Sequence, residues 1–212
     1  MTDIAKPSEL KTGYRGRLAP SPTGLLHLGH ARTFWKAFER AKTVGGTLIL
    51  RNEDLDPQRS RPEFVASYIE DLQWLGIRWQ EGPDGGGPFG PYSQSQRMPL
   101  YQAAFERLKA SGAVYPCTCS RKEIQSSARA PHLEDEEPVY AGTCRPGTGV
   151  GPGNCSNSPT KASWRFQVPD GVPVEFVDGN LGPQRFVAGK DFGDFVVWRH
   201  DGVPAYQLAV VV

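Results

Sequence analysis

Within its first 56 residues the sequence passes through a short apolar stretch, a turn, an amphipathic stretch, two glycines and a second apolar stretch. Few local folds satisfy that order besides a strand–helix–strand unit. Gly16-Arg17-Leu18-Ala19-Pro20 reads as a short buried strand, and Ser21-Pro22-Thr23-Gly24 supplies the turn chemistry that ends it. From Leu26 to about Val44 the residues Leu28, Ala31, Phe34, Trp35, Phe38 and Ala41 recur at three- and four-residue steps, which predicts one apolar helix face. Gly45 and Gly46 stop that helix. Thr47-Leu48-Ile49-Leu50 then suits a strand buried on both faces and leads into Asn52-Glu53-Asp54-Leu55-Asp56-Pro57.

Two further helices follow from the same periodicity. One runs from about Pro62 to Leu75 through Phe64, Val65, Tyr68, Ile69 and Leu72, the other from about Met98 to Ser111 through Tyr101, Ala104, Phe105 and Leu108. Strands alternating with amphipathic helices imply an α/β fold, a Rossmann-like parallel sheet with helices on both faces. Residues 115–160 break this rhythm with four cysteines, an acidic patch at 134–137 and a Gly/Pro/Ser/Asn-rich stretch at 146–159, and read as a small inserted lobe ending in a flexible loop. The expected division is therefore 1–114 for the first half of the catalytic domain, 115–160 for the lobe and 161–212 for the return. In the last part, Trp164–Val168, Val172–Val177, Gln184–Val187 and Phe195–Trp198 are strand candidates between Asp-Gly, Gly-Asn and Gly-Lys turns. Leu208-Ala209-Val210-Val211-Val212 reads as a central strand, and an end inside so apolar a run is expected of a fragment.

Charge narrows the function classes. Twenty-four basic against 23 acidic residues leave a net +1, so the chain lacks the bulk positive field of a non-specific nucleic-acid binder and any polyanion contact must be local. Residues 1–12 hold no apolar core of a secretory signal and no run is long enough to span a membrane, so a cytoplasmic protein is expected. Four clustered cysteines are too few for a disulfide scaffold; in a reducing compartment they favour metal chemistry.

The first strand–helix turn is where a parallel sheet binds ligands. It contains neither GxGxxG nor a Walker sequence, but His27 and His30 lie three residues apart on the first helical turn, where free N–H groups and the helix dipole favour phosphate. Gly29 between them would let a flat base approach the backbone. Glu53 ends an apolar strand, badly placed for a core and well placed to face a cation. Asp54 and Asp56 read instead as caps of the turn before Pro57. Farther on, Cys117-Thr118-Cys119 and Cys144 place three thiols in two pieces with 24 residues between them, a spacing that fits a zinc clip. The fourth ligand is open among Tyr140, Cys155, His132 and water.

These residues carry a resemblance. Arg17-Leu18-Ala19-Pro20-Ser21-Pro22-Thr23-Gly24, followed by His27-Leu28-Gly29-His30, is similar to the signature of glutamate- and glutamine-activating class I aminoacyl-tRNA synthetases. So are the blocks LILRNEDLDPQRS, PYSQSQRMPLY and DGVPAYQLAVVV, in the family's order across nearly the whole chain. The resemblance implies a ligase that binds ATP with Mg2+ and glutamate, with His27 and His30 catalytic and, with Gly29, ATP-binding. It implies that Arg17 meets the glutamate side-chain carboxylate, that Ser21 and Glu53 receive its α-ammonium group, and that Tyr206 adds a hydroxyl contact. The C-x-C…Y-x-x-x-C pattern resembles the family's short branch, which glutamylates queuosine at the wobble position of tRNA(Asp); that likeness implies one structural zinc on Cys117, Cys119, Tyr140 and Cys144 and a monomer. Pro146 stands where zinc-bearing full-length glutamyl-tRNA synthetases carry a histidine. The rival readings are a truncated glutamyl-tRNA synthetase charging tRNA(Glu) and a non-catalytic tRNA-binding module; His27, His30 and Glu53 speak against the module. The Lys-Met-Ser-Lys-Ser-like loop of the family is absent from these residues.

Overall fold

A computed structural model of the chain describes residues 13–120, 123–124, 139–147 and 162–212. The acidic patch at 134–137, His132, Cys155 and most of the 146–159 stretch lie outside the described residues. The chain divides into two compact units, Met1–Pro99 and Leu100–Val212.

In the first unit, β1 (Arg15–Leu18) and β2 (Thr47–Leu50) pair in parallel, with Arg17 opposite Ile49 and Leu18 opposite Leu50. The sixteen-residue helix α1 (Leu28–Thr43) connects them. Parallel bridges between Ile49 and Glu81 and between Asn52 and Ser93 continue the sheet direction past β2. Contrary to expectation, β1 is buried on one face only: Gly16 and Leu18 are inside while Arg15 and Arg17 are exposed. Leu18, Phe34, Ala41, Leu48, Leu50, Tyr68, Leu72 and Ile77 form the core, each leucine contributing about 1.5–3 kcal/mol of burial. Tyr68 and Leu72 come from α2 (Pro62–Trp74), which opens with proline where no N–H is missed.

Helix α1 ends because Gly45, at φ 63°, takes the left-handed conformation that closes a helix. The N–H of Gly46 then bonds the carbonyl of Ala41 and that of Gly45 bonds Lys42. Gly76 and Gly112 end α2 and α3 (Met98–Ala110) by the same pair of bonds. The apolar face of α1 is narrower than its sequence suggests. Leu28 is 87% exposed and Trp35 40%, since Leu28 occupies the first helical position and only Phe34 and Ala41 reach full burial.

The second unit departs from the parallel scheme. β3 (Val114–Cys117), β4 (Ser163–Phe166) and β7 (Phe195–Trp198) form an antiparallel sheet in the order β3-β4-β7. Phe105 of α3 stacks on Trp198 at 4.7 Å and meets Trp164 edge-on. β5 (Pro173–Asp178) and β6 (Gly182–Val187) make a separate hairpin whose turn is fastened by Asp178, which accepts the N–H groups of Asn180 and Leu181. The final apolar run is a helix, α4 (Tyr206–Val211), and not a strand. Its N–H groups at Leu208 and Ala209 bond the carbonyl of Ala205, and only Leu208 and Ala209 are fully buried. A short apolar run carries no period that separates helix from strand, and here one-sided packing selects the helix.

Candidate functional site

The loops that leave β1 and β2 stay together beyond the strands. The N–H of Arg51 bonds Leu18 and that of Glu53 bonds Pro20, so Ser21 and Glu53 emerge beside one another at the carboxyl end of the parallel pair. Asp56 caps its turn as expected, accepting the N–H groups of Gln58 and Arg59, whereas Asp54 reaches away to Ser95, whose N–H and hydroxyl it accepts at 2.8 and 2.6 Å. Pro22, Asp54, Ser60, Arg61 and Val65 line an open hollow of about 550 Å³ next to these loops.

His27 is the N-cap of α1 and His30 its third residue, and they close a reciprocal capping box. Nδ1 of His27 accepts the N–H of Gly29 at 3.1 Å, and Nδ1 of His30 accepts the N–H of His27 at 3.3 Å. An accepting Nδ1 fixes the neutral tautomer with its proton on Nε2. Both rings are exposed, 3.8 Å apart between centroids, so each leaves an Nε2–H available to an incoming anion. Partial desolvation, followed by Coulombic repulsion from His27 were both rings protonated, holds the His30 pKa below the ordinary histidine value. Gly29 matters to these rings directly: a Cβ there would stand 2.9 Å from Cε1 of His27.

Arg17 is exposed and forms no ion pair among the described residues. Glu53 is less free than its sequence position suggests, because Arg51 donates to Oε1 at 2.6 Å and both side chains are mostly buried. Its second oxygen has no hydrogen-bond partner among the described residues. Tyr206 opens α4 in the second unit and is 65% exposed.

In the second unit the structure assembles the sulfur cluster. The Sγ atoms of Cys117, Cys119 and Cys144 all lie within 4.8 Å of one another, close to the ~3.8 Å expected between thiolates on a tetrahedral zinc. The hydroxyl of Tyr140 sits 3.4 Å from Cys117 Sγ and 3.5 Å from Cys119 Sγ, and accepts the N–H of Cys144 at 2.8 Å. Of the fourth-ligand candidates, Tyr140 is therefore the protein group brought to the cluster among the described residues. Cys117 and Cys119 are free thiols, while Cys144 is disulfide-bonded, against the expectation of fully reduced cysteines. Burial pushes the Cys117 thiol up, but hydrogen bonds from Tyr140 and Arg165 outweigh it and bring the group below the ordinary cysteine value.

Three residues around the cluster escaped the sequence reading. Arg165 is 7% exposed on β4, and Tyr115 and Asp194 are buried too. Tyr115 donates to Asp194 Oδ2 at 2.5 Å, and Asp194 Oδ1 accepts the N–H of Val168. No motif marks them; only the β3–β4–β7 pairing brings them together.

Residues 14–212 match the family model described as the catalytic domain of class I tRNA synthetases of the E and Q kind. The chain is 52% identical over 198 residues to a glutamyl-Q tRNA(Asp) synthetase of Symbiobacterium thermophilum and 49% identical to one of Nitratidesulfovibrio vulgaris. Each alignment covers 93% of this chain, which spans 61% of the length of those relatives. A glutamate–tRNA ligase of Symbiobacterium thermophilum is 42% identical over 198 residues, covering 93% of this chain and 41% of that protein. Among solved structures, the glutamate–tRNA synthetase of Elizabethkingia anophelis superposes with a TM-score of 0.75 at 30% identity, covering 93% of this chain and 41% of that one. By sequence blocks, histidine geometry and family match, the chain belongs to the class I tRNA synthetases of the E and Q kind, within their catalytic domain.

Proposed function

We propose that the protein containing this chain activates glutamate with ATP and transfers the glutamyl group to queuosine of tRNA(Asp). The observation that carries the first half is the pair of imidazoles at the start of α1, each with Nδ1 accepting a backbone N–H, which leaves Nε2 for the phosphates. In that reaction a glutamate carboxylate oxygen attacks the α-phosphorus of ATP, the bond to pyrophosphate breaks and pyrophosphate leaves with its electron pair. His27 and His30 donate to phosphate oxygens as charge moves onto the leaving group, and preorganised donors of this kind are each worth about 3–4 kcal/mol. Mg2+ accompanies the nucleotide. Arg17 takes the substrate's side-chain carboxylate, where a guanidinium fork suits a planar anion. Ser21 and Glu53 receive the ammonium group, Glu53 through the oxygen that Arg51 leaves open, and Tyr206 adds a hydroxyl contact.

In the second step a hydroxyl of the queuosine ring attacks the acyl carbon, loses its proton, and AMP departs. Support for this half comes from the two relatives named glutamyl-Q tRNA(Asp) synthetase, at higher identity than the glutamate–tRNA ligases. The Rossmann-like arrangement, the lobe at 115–160, a cytoplasmic location and a monomeric state belong to the same reading.

One structural zinc fits Cys117, Cys119, Cys144 and Tyr140: thiolates are soft ligands, the sulfurs are suitably close and the phenol oxygen stands among them. This set needs Cys144 in its reduced form. Bound zinc would tie β3 to the 139–147 segment.

The test is transfer of labelled glutamate by the full-length protein to tRNA(Asp) bearing queuosine, beside the same tRNA with guanine at the wobble position and beside tRNA(Glu). Label on the queuosine tRNA alone supports the proposal. Label on tRNA(Glu) alone replaces it with a glutamate–tRNA ligase.

A further inference from the structure

Arg165 is a buried cation in search of an anion. It is 7% exposed, and among the described residues no carboxylate pairs with its guanidinium; Arg145, not Arg165, forms the ion pairs with Asp170 and Asp194. The Arg165 guanidinium makes three contacts of other kinds among the described residues. Nε donates to Cys117 Sγ at 3.3 Å, Nη1 donates to the backbone carbonyl of Asp194 at 2.9 Å, and the guanidinium carbon lies 4.0 Å from the centre of the Tyr140 ring. Two of the three go to residues of the candidate metal set.

The charges explain the arrangement. Three thiolates and a neutral phenol around a divalent ion carry a net charge of −1, and a buried charge is costly unless compensated nearby. A guanidinium hydrogen-bonded to one of the sulfurs makes the assembly neutral. Its flat face also fixes the tyrosine ring, so the phenol oxygen is aimed before the metal arrives. Asp194 holds the other end in place: its backbone carbonyl accepts Nη1, and its carboxylate is itself anchored by Tyr115 and by the N–H of Val168. Hydrogen bonds to metal-bound sulfur are a common means of tuning such sites.

We propose that Arg165 is the counter-cation and positioning residue of this metal site, neutralising its thiolates through Cys117 and orienting Tyr140. The proposal rests on the zinc reading above. It requires that the reduced protein bind zinc more tightly with Arg165 than with a neutral residue of similar size.

The experiment uses the intact protein under reducing conditions, with zinc affinity measured by competition against a chromophoric chelator and cobalt(II) as a spectroscopic probe. Arg165→Met should weaken zinc binding about 10–100-fold. Its sulfur-to-cobalt charge-transfer band should move to lower energy, because a thiolate without its hydrogen bond gives up an electron more easily. A residue that merely braced β4 would not shift that band. Arg165→Lys, keeping the charge without the fork, should recover part of the affinity, and Arg165→Gln reads the same loss if the methionine variant fails to fold. Neutral variants with unchanged affinity and band position would overturn the proposal while leaving the zinc reading intact. Failure of the unaltered, reduced protein to bind zinc or cobalt at all would overturn both.

Discussion

The backbone N–H of His27 is held by Nδ1 of His30, so the first helical turn of α1 is closed by the same side chains that we propose meet the phosphates of ATP. Capping and the proposed catalytic role thus depend on one protonation state. The His30 pKa lies below the ordinary value, so the folded chain binds that proton less readily than the unfolded chain does. The stabilisation is therefore complete above about pH 6.5 and declines as the pH falls from there towards the folded pKa. Histidine NMR should show both rings as Nε2–H tautomers at pH 7.5, with His30 titrating below 6.5. An Nδ1–H tautomer at either ring would contradict the capping geometry.

Replacing Gly29 by alanine should disable activation without unfolding the chain. The added Cβ meets the His27 ring at 2.9 Å and leaves the ring no choice but to move. A misplaced donor of this kind costs about 100-fold in rate. Pyrophosphate exchange measured beside thermal unfolding checks it: a large fall in kcat with a nearly unchanged Tm is expected.

Glu53 and Arg51 offer a test of role within one ion pair. If Glu53 receives the substrate ammonium, Glu53→Gln should raise the KM for glutamate about 10-fold or more, by loss of a charge-assisted hydrogen bond. Arg51→Met should mainly lower stability, since it leaves the Glu53 carboxylate without its partner. Equal effects of the two variants on Tm, with KM unmoved in both, would make the pair purely structural.

Much of this site was legible because its residues are local. The strand, turn, helix start and second strand all fall between Arg15 and Leu50, and each has a residue-level cause, such as the glycine pair that ends α1. What stayed hidden depends on pairings distant in sequence. Nothing near Arg165 announces that β4 will lie against β3, 48 residues away from Cys117, and Asp194 reaches Tyr115 across 79 residues. The antiparallel second sheet escaped for the same reason, and α4 because so short an apolar run has no distinctive period.

The Tyr115–Asp194 contact should be structural. Burial, followed by the Asp194 hydrogen bond, holds the Tyr115 hydroxyl protonated well above the ordinary tyrosine range. Tyr115→Phe removes one donor from a buried carboxylate and should cost about 1–3 kcal/mol. Denaturant unfolding should register that loss while leaving glutamate KM unchanged.

For the metal, elemental analysis of the reduced protein should give one zinc per chain. Tyr140→Phe should deplete it and Cys155→Ser should not. The reverse pattern would remove Tyr140 from the ligand set.

The central claim is tested most directly by ATP–pyrophosphate exchange with the full-length protein, glutamate and no tRNA, followed by addition of queuosine-bearing tRNA(Asp). Exchange before any tRNA is added, lost in His27→Ala and His30→Ala, and glutamyl transfer once tRNA(Asp) arrives are the predicted results. Exchange that appears only with tRNA(Glu), or that survives removal of both imidazoles, would contradict the account.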